Sequence, residues 1–487
     1  MSYNGTINYL YNLQKHGIKF GLDNISRLMS VLDNPHKSFL SIHVAGTNGK
    51  GSTSAIIASI LKTAGLKVGL FTSPHIVSFT ERIRVNGEEI SEDEVIGLTD
   101  EIREKNSKFK IQNSKFSPTF FEFITAMAFL YFKRKNIDIA VIEAGMGGRL
   151  DATNIVIPEV SVITKISYDH REFIGNTLKE IAHEKAGIIK KGIPIVISSQ
   201  APEAMKVIEK KAIEKDAVLY VYGRNFSSVL KREDVSGICF DYHGSDLFTI
   251  HDLVLPLTGE HQMQNASVAI KAAMIVLRNS CKFQVPSSKL NNNKHSTFNI
   301  QHLTNFVRSG LATTKWPGRL EIIKEDPTIL IDGAHNPAAA EALSNALVKN
   351  FLRRYKRIIL ILGIMGDKDI KGIMEPLLPL ASEIVLTSPD YERAASPAKL
   401  AEATASLGFS QVRIAPTVRN AIEMAIKESQ QSNPPLPPFT KGGSVEINNS
   451  SLITRHSSLI VITGSFYTIG EAKEVIGQKG VLTKLRE

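Results

Sequence analysis

The sequence predicts an α/β protein of two domains, each built on a mostly parallel β-sheet. The chain has 487 residues, which at roughly 150 residues per domain is too long for a single core. Short apolar, β-branched runs alternate with amphipathic stretches along most of it. Apolar strands that are separated by helices are typical of a parallel sheet covered on both faces. A glycine-rich turn directly after the first run adds a more specific expectation for the first domain.

The first series of apolar runs predicts the sheet of an N-terminal domain over residues 1–315. These runs are FLSIHVAG (39–46), LKVGLFTS (66–73), IDIAVIEAG (137–145), VSVITKIS (160–167) and IPIVISS (193–199). Each has the length and β-branched content of a buried strand. Several are separated by stretches with helical spacing of apolar residues, so we expect strands and helices to alternate.

A second series predicts a smaller C-terminal α/β domain, interpreted as Rossmann-like, over residues 316–487. Its predicted strands are TILIDGAHN (328–336), RIILILGIM (357–365), EIVLTSPD (383–390), QVRIAP (411–416) and SLIVITGSFYTIGEA (458–472). The boundary is expected near WPGRLE (316–321). Residues 286–310 and 430–457 are polar or rich in proline and glycine, with no sustained period, and are predicted to be flexible insertions.

Composition limits the class of protein. Apolar residues make up 43% of the chain and charged residues 22%, which excludes a mainly disordered or fibrous chain. The net charge of +10 does not choose among a nucleic acid, a membrane surface and a small polyanion as partner. Cys239 and Cys281 form no CxxC pair, so neither a disulfide scaffold nor a structural zinc site is predicted. Because no apolar run has the length of a signal peptide core or a membrane span, we expect a cytoplasmic protein without membrane contact.

The glycine-rich turn predicts a phosphate-binding loop, and hence a P-loop-type first domain. The strand FLSIHVAG continues into GTNGKGSTS, where a helix begins, and such a turn aims backbone N–H groups and the positive end of the helix dipole at phosphates. Lys50 would reach the outer phosphates, and Ser52 would hold a magnesium ion. The strict Walker pattern needs glycine where Val44 stands and serine or threonine where Gly51 stands. A glycine-rich turn that only caps a helix is therefore the alternative.

Three further side chains follow strands or helices of the predicted first domain. Glu143 ends IDIAVI, and ligands of open parallel sheets bind beyond the carboxyl ends of strands, so it could meet the metal ion of a nucleotide; the alternative is a glutamate facing solvent. His170 follows the next strand and is either a ligand or a structural histidine. Lys185 lies in the last turn of a helix closed by Gly187, where it could simply interact with free carbonyls.

Further motifs occur in a fixed order along nearly the whole chain. They are AGTNGKGS (45–52), TSPH (72–75), ERI (81–83), TFFE (119–122), EAGMGGRLDATN (143–154), DHREFIGNT (169–177), IAHEKAGI (181–188), GEHQMQNA (259–266), WPGRLE (316–321), DGAHNPAA (332–339), DKD (367–369) and GSFYTIGE (464–471). Together they resemble the motifs of the dihydrofolate synthase/folylpolyglutamate synthase family, relatives of the Mur ligases of peptidoglycan synthesis. So many ordered motifs make a chance match implausible.

The resemblance implies an ATP-dependent ligase that joins L-glutamate to the carboxylate of dihydropteroate and of folates. The carboxylate would attack the γ-phosphate of ATP to give an acyl phosphate and ADP, and the glutamate amine would then displace phosphate. Both steps bring anions together, so cations must offset the repulsion. The implied cofactors are ATP and Mg²⁺, with ATP in the cleft between the two domains.

The resemblance also implies roles for individual residues. The implied ATP-binding residues are Gly49, Lys50, Gly51, Ser52, Asn265, Arg319 and Asp332. The implied metal ligands are Ser52, Ser73 and Glu143 for one magnesium ion, and His170 and a carbamylated Lys185 for a second. Carbamylation requires a neutral amine, and hence a lowered lysine pKa. Lys50, Lys185 and His335 are the implied catalytic residues, His335 by positioning the incoming glutamate.

For the pterin or folate, the resemblance implies a further set of binding residues. They are Gly21, Leu22, Asp23, Asn24, Thr119, Phe120, Phe121, Glu122, Leu150, Asp151 and Ala152. Thr119 and Glu122 have a second explanation, because T-x-x-E before an apolar helical run is also a capping box. The two roles can coexist.

Two other functions are considered. A Mur-type ligase would use a nucleotide-linked muramyl acceptor, but GKGS and TFFE resemble the folate branch. A nucleic-acid-dependent P-loop ATPase would suit the net charge, yet no recognisable nucleic-acid module or basic stripe with interleaved aromatics is present. Six cations without an acid lie around the first predicted insertion: Arg278, Lys282, Lys289, Lys294, Arg308 and Lys315. We therefore expect dihydropteroate, reduced folates and L-glutamate as partners, no nucleic acid, and a monomer.

Overall fold

The computed structural model describes residues 1–16, 21–110, 117–245, 248–279, 300–430 and 456–477. The chain divides into two compact units, Met1–Trp316 and Pro317–Glu487. Within the described ranges, no helix is both long enough and apolar enough to cross a membrane.

A mostly parallel sheet forms the centre of the first unit. Its strands are β1 (Leu40–Ala45), β2 (Val68–Phe71), β3 (Ile83–Val85), β4 (Glu88–Glu89), β5 (Ile139–Glu143), β6 (Val160–Ile163), β7 (Ile195–Ile197) and β8 (Leu219–Val221). Among the described residues the strand order is β4-β3-β2-β5-β1-β6-β7-β8, and only the pairs β2–β3 and β3–β4 are antiparallel. Strands β2, β5, β6 and β7 are buried throughout. The predicted parallel sheet, apolar on both faces, is therefore confirmed.

Helices surround this sheet. They are α1 (Tyr3–Asn12), α2 (Asp23–Val31), α3 (Lys50–Thr63), α4 (Glu92–Lys110), α5 (Phe120–Arg134), α6 (Arg171–Ile174), α7 (Leu178–Ala186), α8 (Pro202–Glu214), α9 (Glu260–Asn279) and α10 (Ile300–Ala312). Helix α3 packs its buried Ile56, Ile57 and Ile60 into the main apolar core. Burial of such side chains, each worth about 1.5–3 kcal/mol, fixes the helix that follows β1.

A small antiparallel sheet was not predicted. It contains β9 (Ser227–Asp234), β10 (Gly237–His243) and β11 (Thr249–Leu255), in the order β11-β10-β9. Its inner face contributes Phe240 and Leu253, both fully buried, to the same core. The alternation of apolar and polar residues in these strands is the pattern of a sheet with one covered face.

The first predicted insertion, 286–310, is wrong at its C-terminal end. Residues 300–310 belong to α10, in which Leu303, Val307 and Leu311 are fully buried. Their spacing of four residues places them on one helical face. The polar residues between them face away from the core, which is why this segment was interpreted as an insertion. Residues 286–299 lie outside the described residues.

The second unit has a mixed sheet of six strands in its described part. They are β12 (Glu321–Glu325), β13 (Thr328–Ile331), β14 (Tyr355–Leu362), β15 (Glu383–Leu386), β16 (Arg413–Ile414) and β17 (His456–Thr463). The order is β12-β13-β17-β14-β15-β16, and only β12 pairs antiparallel. The helices are α11 (Pro337–Ala346), α12 (Ile370–Met374), α13 (Pro397–Ser406), α14 (Val418–Ser429) and α15 (Phe466–Val475). The expected α/β class is confirmed, with an antiparallel edge strand added.

Two expectations for this unit need correction. The predicted strand 458–472 ends at Thr463, because Gly464 turns the chain at φ 107° and Ser465 caps α15 through its Oγ, which accepts from Thr468 N. A serine N-cap starts a helix even in an apolar run. The predicted insertion 430–457 is also too long, since β17 already begins at His456. Residues 431–455 lie outside the described residues.

Candidate active site

The glycine-rich turn between β1 and α3 is held tightly against neighbouring elements. Gly46 and Gly49 have φ values of 152° and 87°, where residues other than glycine are strained. A Cβ at Gly46 would lie 1.8 Å from Thr164 Oγ1, and one at Gly49 would lie 2.3 Å from Asn265 Oδ1. The glycines therefore allow a close approach as well as a turn, and they bring the predicted ATP-binding residue Asn265 to the loop.

Lys50 and Glu143 approach each other at this loop. The Lys50 Nζ lies 4.0 Å from Glu143 Oε1 and donates to Thr47 O at 3.3 Å. Glu143 is buried at the end of β5, and its Oε2 accepts from Ser73 N at 3.3 Å. The alternative of a glutamate facing solvent is therefore wrong. The structure brings three of the predicted site residues together.

Ser52 has the character of a ligand-binding hydroxyl. It is 1% exposed, and its Oγ has no hydrogen-bond partner among the described residues. A buried hydroxyl without a partner costs free energy, and a magnesium ion or a phosphate would satisfy it. Oxygen donors such as this hydroxyl and the Glu143 carboxylate fit magnesium. In the described part of the chain, no group of three or more His, Cys, Asp or Glu side chains is arranged to hold a metal ion.

Lys185 points from helix α7 into the same loop. A capping box of Thr177 and Glu180 starts α7, and Lys185 near its C-terminal end donates from Nζ to Gly46 O at 2.7 Å. Burial, together with the positive charge of Lys50, lowers the pKa of Lys185 to about 7. The alternative, a lysine that only interacts with the carbonyls of its own helix end, does not account for this contact.

His170 lies beyond β6, at the N-terminus of the short helix α6. Its backbone is left-handed, with φ 49°, and its Nε2 lies 3.8 Å from Asp169 Oδ2. Asp169 is buried, and its negative charge raises the pKa of Lys185. Asp169 thus connects His170 electrostatically with Lys185. The sequence reasoning did not single out Asp169, although the Asp-His pair at a loop after a buried strand was visible.

The residues predicted to bind the pterin lie on three segments. Leu22 is the N-cap of α2 and Asp23 its first residue. Thr119 and Glu122 form the capping box of α5, with Thr119 N donating to Glu122 Oε2 at 2.7 Å and Glu122 N donating to Thr119 Oγ1 at 3.3 Å. The second explanation of these two side chains is therefore present in the structure, and the binding role stays a prediction.

Aromatic and cationic side chains surround Phe120 at the start of α5. Tyr11 stacks on it with ring centroids 5.6 Å apart, and the Arg82 guanidinium lies 5.5 Å from its centroid. His75 connects both, accepting from Arg82 Nε at 2.7 Å and lying 3.2 Å from Tyr11 Oη. Sequence reasoning did not assign roles to these three residues, although TSPH and ERI contain two of them. Phe121 closes over Gly145, where a Cβ would lie 2.5 Å from its Cζ.

Asp151 organises the loop that follows β5. Its Oδ2 accepts from Met146 N at 2.9 Å and its Oδ1 from Thr153 N at 3.0 Å. Burial raises the pKa of this carboxyl. Asp151 also caps the short 3₁₀ helix that begins at Ala152, and Leu150 precedes it. The carboxylate thus has internal partners in addition to its predicted binding role.

In the second unit, Arg319, Asp332 and His335 lie close to one another. Asp332 accepts from Leu320 N and Ala334 N, both at 2.9 Å, and burial raises its pKa while the charge of Arg319 opposes the shift. Arg319 lies 5.0 Å over the ring of Phe466, and the His335 ring centroid lies 5.3 Å from that of Phe466. Arg319 and His335 therefore share one aromatic neighbour, Phe466, which sequence reasoning did not identify.

Two family descriptions match the chain. Residues 44–273 match the Mur ligase middle domain, and residues 318–433 match the Mur ligase, glutamate ligase domain. Together with the loop that carries Lys50, these matches define an ATP-dependent ligase of the Mur type.

Individual relatives narrow this class. The dihydrofolate synthase/folylpolyglutamate synthase of Bacillus subtilis strain 168 is 38% identical over 396 residues, covering 81% of this chain and 86% of that protein. The enzyme of the same description from Mycobacterium tuberculosis strain H37Rv is 34% identical over 470 residues, covering 94% and 90%. The chain belongs to the dihydrofolate synthase/folylpolyglutamate synthase family, and the resemblance found in its motifs is confirmed.

Solved structures agree. The folylpolyglutamate synthase of Mycobacterium tuberculosis, complexed with ADP and AMPPCP, is 31% identical with a TM-score of 0.82, covering 98% of this chain and all of that one (100%). An FPGS–AMPPCP–folate complex is also 31% identical, with a TM-score of 0.77 and coverage of 98% and 100%. Relatives of this chain therefore bind adenine nucleotides and a folate.

Proposed function

We propose that this protein uses ATP to join L-glutamate to the carboxylate of dihydropteroate and of reduced folates, through an acyl phosphate. The observation that carries this proposal is the arrangement of Lys50, Glu143 and Lys185 around a glycine-rich loop, in a chain whose relatives are described as dihydrofolate and folylpolyglutamate synthases. The Mur-type alternative with a muramyl acceptor keeps the same loop and differs in the acceptor.

The phosphate loop suits the first half of the reaction. The loop leads into the N-terminus of α3, where backbone N–H groups and the helix dipole favour anions. Lys50 adds a positive charge beside the same loop. These groups would offset the charge that develops when an acceptor carboxylate attacks the γ-phosphate. In the first unit, we assign Gly49, Gly51 and Asn265 to nucleotide binding. In the second unit, we assign Arg319 and Asp332 to the same role.

The donor set at the loop fits Mg²⁺. Ser52, Ser73 and Glu143 would hold one ion, and His170 with a carbamylated Lys185 a second. A bound magnesium ion would supply positive charge that screens the phosphates. The buried, unpartnered hydroxyl of Ser52 supports the first set.

The lowered pKa of Lys185 supports carbamylation. With a pKa of about 7, much of the amine is neutral at neutral pH. A neutral Nζ can attack the carbon of CO₂, forming an N–C bond and releasing one proton to solvent, so that a cationic side chain becomes an anionic oxygen donor. An oxygen donor is what magnesium prefers.

His335 is proposed to position the glutamate that attacks the acyl phosphate. Its Nδ1 lies 2.8 Å from Gly333 O, a contact that orients the ring when Nδ1 carries the proton. Nε2 is then the acceptor nitrogen, suited to the incoming amine. A cytoplasmic monomer remains our prediction for location and oligomeric state, and size-exclusion chromatography with light scattering measures the latter.

An acceptor screen tests the function. The protein is incubated with ATP, Mg²⁺ and L-glutamate, and ADP release is followed with dihydropteroate, with a reduced monoglutamyl folate, with a nucleotide-linked muramyl acceptor and with none. We expect stimulation by the two pterin acceptors and a product heavier by one glutamyl group. Absence of stimulation by both pterins contradicts the proposal, and stimulation by the muramyl acceptor alone supports the alternative.

A further inference from the structure

A buried chain of hydrogen bonds joins the central strand β1 to the loop that carries Asp151. We propose that His43 and Thr153 are positioning residues, which hold Asp151 and its loop in the conformation that binds the pterin acceptor. This inference rests on the proposed function, because it explains how Asp151, a predicted pterin-binding residue, is held for binding the acceptor.

The contacts are short and excluded from solvent. His43 Nε2 lies 2.8 Å from Thr153 Oγ1, and both residues are fully buried, at 0% exposure. Thr153 Oγ1 in turn donates to Asp151 Oδ1 in a short hydrogen bond. Side-chain hydrogen bonds in a buried, low-dielectric setting are stronger than in water, and an unmade one is costly. The chain His43–Thr153–Asp151 therefore restricts the carboxylate to one orientation.

The direction of the hydrogens follows from Asp151. Its two oxygens already accept from the backbone N–H groups of Met146 and Thr153, so the carboxylate acts as an acceptor and the Thr153 hydroxyl donates to it. That hydroxyl must then accept from His43, which places the histidine proton on Nε2. Burial, with the nearby charge of Lys190 adding to its effect, lowers the pKa of His43 to about 3. The ring is thus a neutral donor over the whole working pH range.

An apolar residue would serve β1 better if packing were the only requirement. The strand neighbours Ile42 and Val44 are fully buried aliphatic residues, whereas the Nδ1 of His43 is buried without a hydrogen-bond partner among the described residues. Leaving such a nitrogen unpaired is unfavourable. What a histidine adds at position 43 is a hydrogen-bond donor at Nε2, and the Thr153 hydroxyl accepts that hydrogen bond.

The rest of the loop is fixed to helix α7. Asn154 Nδ2 donates to Arg149 O at 2.9 Å and to Gly187 O at 3.2 Å, and Arg149 N donates to Glu184 O at 2.7 Å. Lys190 Nζ also donates to Asn154 O, at 2.8 Å. The loop is therefore held by α7 and the residues that follow it, and the buried chain from His43 adds a separate support that reaches Asp151.

The test compares matched variants of the full chain. Thr153→Val keeps the shape but removes the hydroxyl, Thr153→Ser keeps the hydroxyl, and Thr99→Val removes a buried hydroxyl that has no partner in the described part of the chain. We expect Thr153→Val to raise the Kd for the reduced folate about tenfold, the equivalent of one lost charge-assisted hydrogen bond. Its Kd for an ATP analogue should stay within about twofold, and Thr153→Ser should restore folate binding.

Two further measurements separate this inference from the proposed function. His43→Leu should weaken folate binding as Thr153→Val does, and His43→Gln, which offers an amide donor near the Nε2 position, should recover part of it. Backbone hydrogen exchange of Met146 and Thr153 should speed up in Thr153→Val and not in Thr99→Val. If the wild-type protein uses no pterin acceptor, the proposed function fails. If the hydrogen exchange of Met146 and Thr153 is unchanged in Thr153→Val, the positioning role is overturned, whichever acceptor the protein uses. Equal losses of folate and ATP-analogue affinity in Thr153→Val overturn the inference while leaving the function intact.

Discussion

Lys185 is the residue whose chemistry depends most on its surroundings. It is 4% exposed, donates to the phosphate loop at Gly46 O, and lies near the charges of Lys50 and Asp169. Replacing it with alanine removes the proposed oxygen donor without adding a polar group to the core. We expect Lys185→Ala to fold and to lose activity on the order of 10²-fold, measured as acceptor-dependent ADP release. Lys179→Ala, an exposed change on the same helix, is the control, and a Lys185→Ala enzyme with normal activity would remove the role.

The same lysine predicts a pH dependence of stability. Its pKa is about 7 in the folded protein and 10.5 when unperturbed, so between these values the unfolded chain binds more protons. The free energy of unfolding therefore rises with pH across this window. Below about pH 7 the amine is charged in the folded protein as well, and the full destabilisation from burying that charge is present. Lys185→Met should flatten this rise by up to about 1.4 kcal/mol per pH unit. Urea unfolding of both proteins from pH 7 to 9, in CO₂-free buffer, measures the difference. Parallel curves for the two proteins would contradict it.

Sequence reasoning identified many site residues from motifs, but it missed residues whose partners are set by the fold, some of them inside the same motifs. Lys50 follows β1 through the glycine-rich turn and Glu143 ends β5, so their positions alone made both candidates for a nucleotide site. His43 lies inside an apolar strand, and nothing in its neighbours shows that it faces Thr153, which is far along the chain. Asp169 stands next to His170 in the sequence, but its electrostatic effect on Lys185 depends on the fold. Pairings over such separations depend on the fold and leave no local pattern.

At the scale of elements, helix α10 packs closely on α3. A Cβ at Gly310 would lie 2.5 Å from the backbone Cα of Ile60, and Ser59 Oγ donates to Gly310 O at 2.6 Å. Backbone atoms cannot move aside cheaply, so Gly310→Ala should lower the free energy of unfolding by about 1–3 kcal/mol. Gly97→Ala is the matched control, since Gly97 lies in α4, where an added Cβ would have no described atom within 4 Å.

The control has its own expected sign. Alanine in an exposed helix interior is favoured over glycine by about 0.5–1 kcal/mol, so Gly97→Ala should stabilise or leave the protein unchanged. Urea unfolding followed by tryptophan emission reports both variants. Equal effects of the two substitutions would mean that the contact between α10 and α3 contributes little to the stability of the first unit.

Element prediction succeeded where a run was apolar on both faces. Strands β5 and β6 lie inside the predicted runs and are buried throughout, and a fully buried strand has an unmistakable composition. The helix α10 was obscured by polar residues around Leu303, Val307 and Leu311, and α15 by an apolar sequence that resembles a strand. For α15, the Ser465 cap decides the structure, and one side-chain hydrogen bond is a weak signal in a sequence.

At the scale of the whole molecule, the net charge of +10 is weak support for a nucleic-acid partner. At the candidate site, the side chains of Lys50 and Lys185 both donate to carbonyl oxygens of the phosphate loop. We expect DNA or RNA to change ADP release by less than about twofold at physiological salt, in the range of non-specific binding. A large stimulation that falls steeply with salt would contradict this and revive the ATPase alternative.

The chain contains a single tryptophan, which makes one of its two units directly observable. Trp316 packs against the start of α3, since a Cβ at Gly51 would lie 2.8 Å from its ring, and Arg84 lies 5.7 Å from the ring centroid. Its emission therefore reports the unit that holds the phosphate loop. A non-hydrolysable ATP analogue with Mg²⁺, at 100 times its Kd, should raise the free energy of unfolding seen by this emission by about 2.7 kcal/mol through mass action. Lys50→Met should abolish most of that gain, whereas Lys62→Met, at the far end of α3, should keep it. The same gain in all three proteins would exclude Lys50 from nucleotide binding.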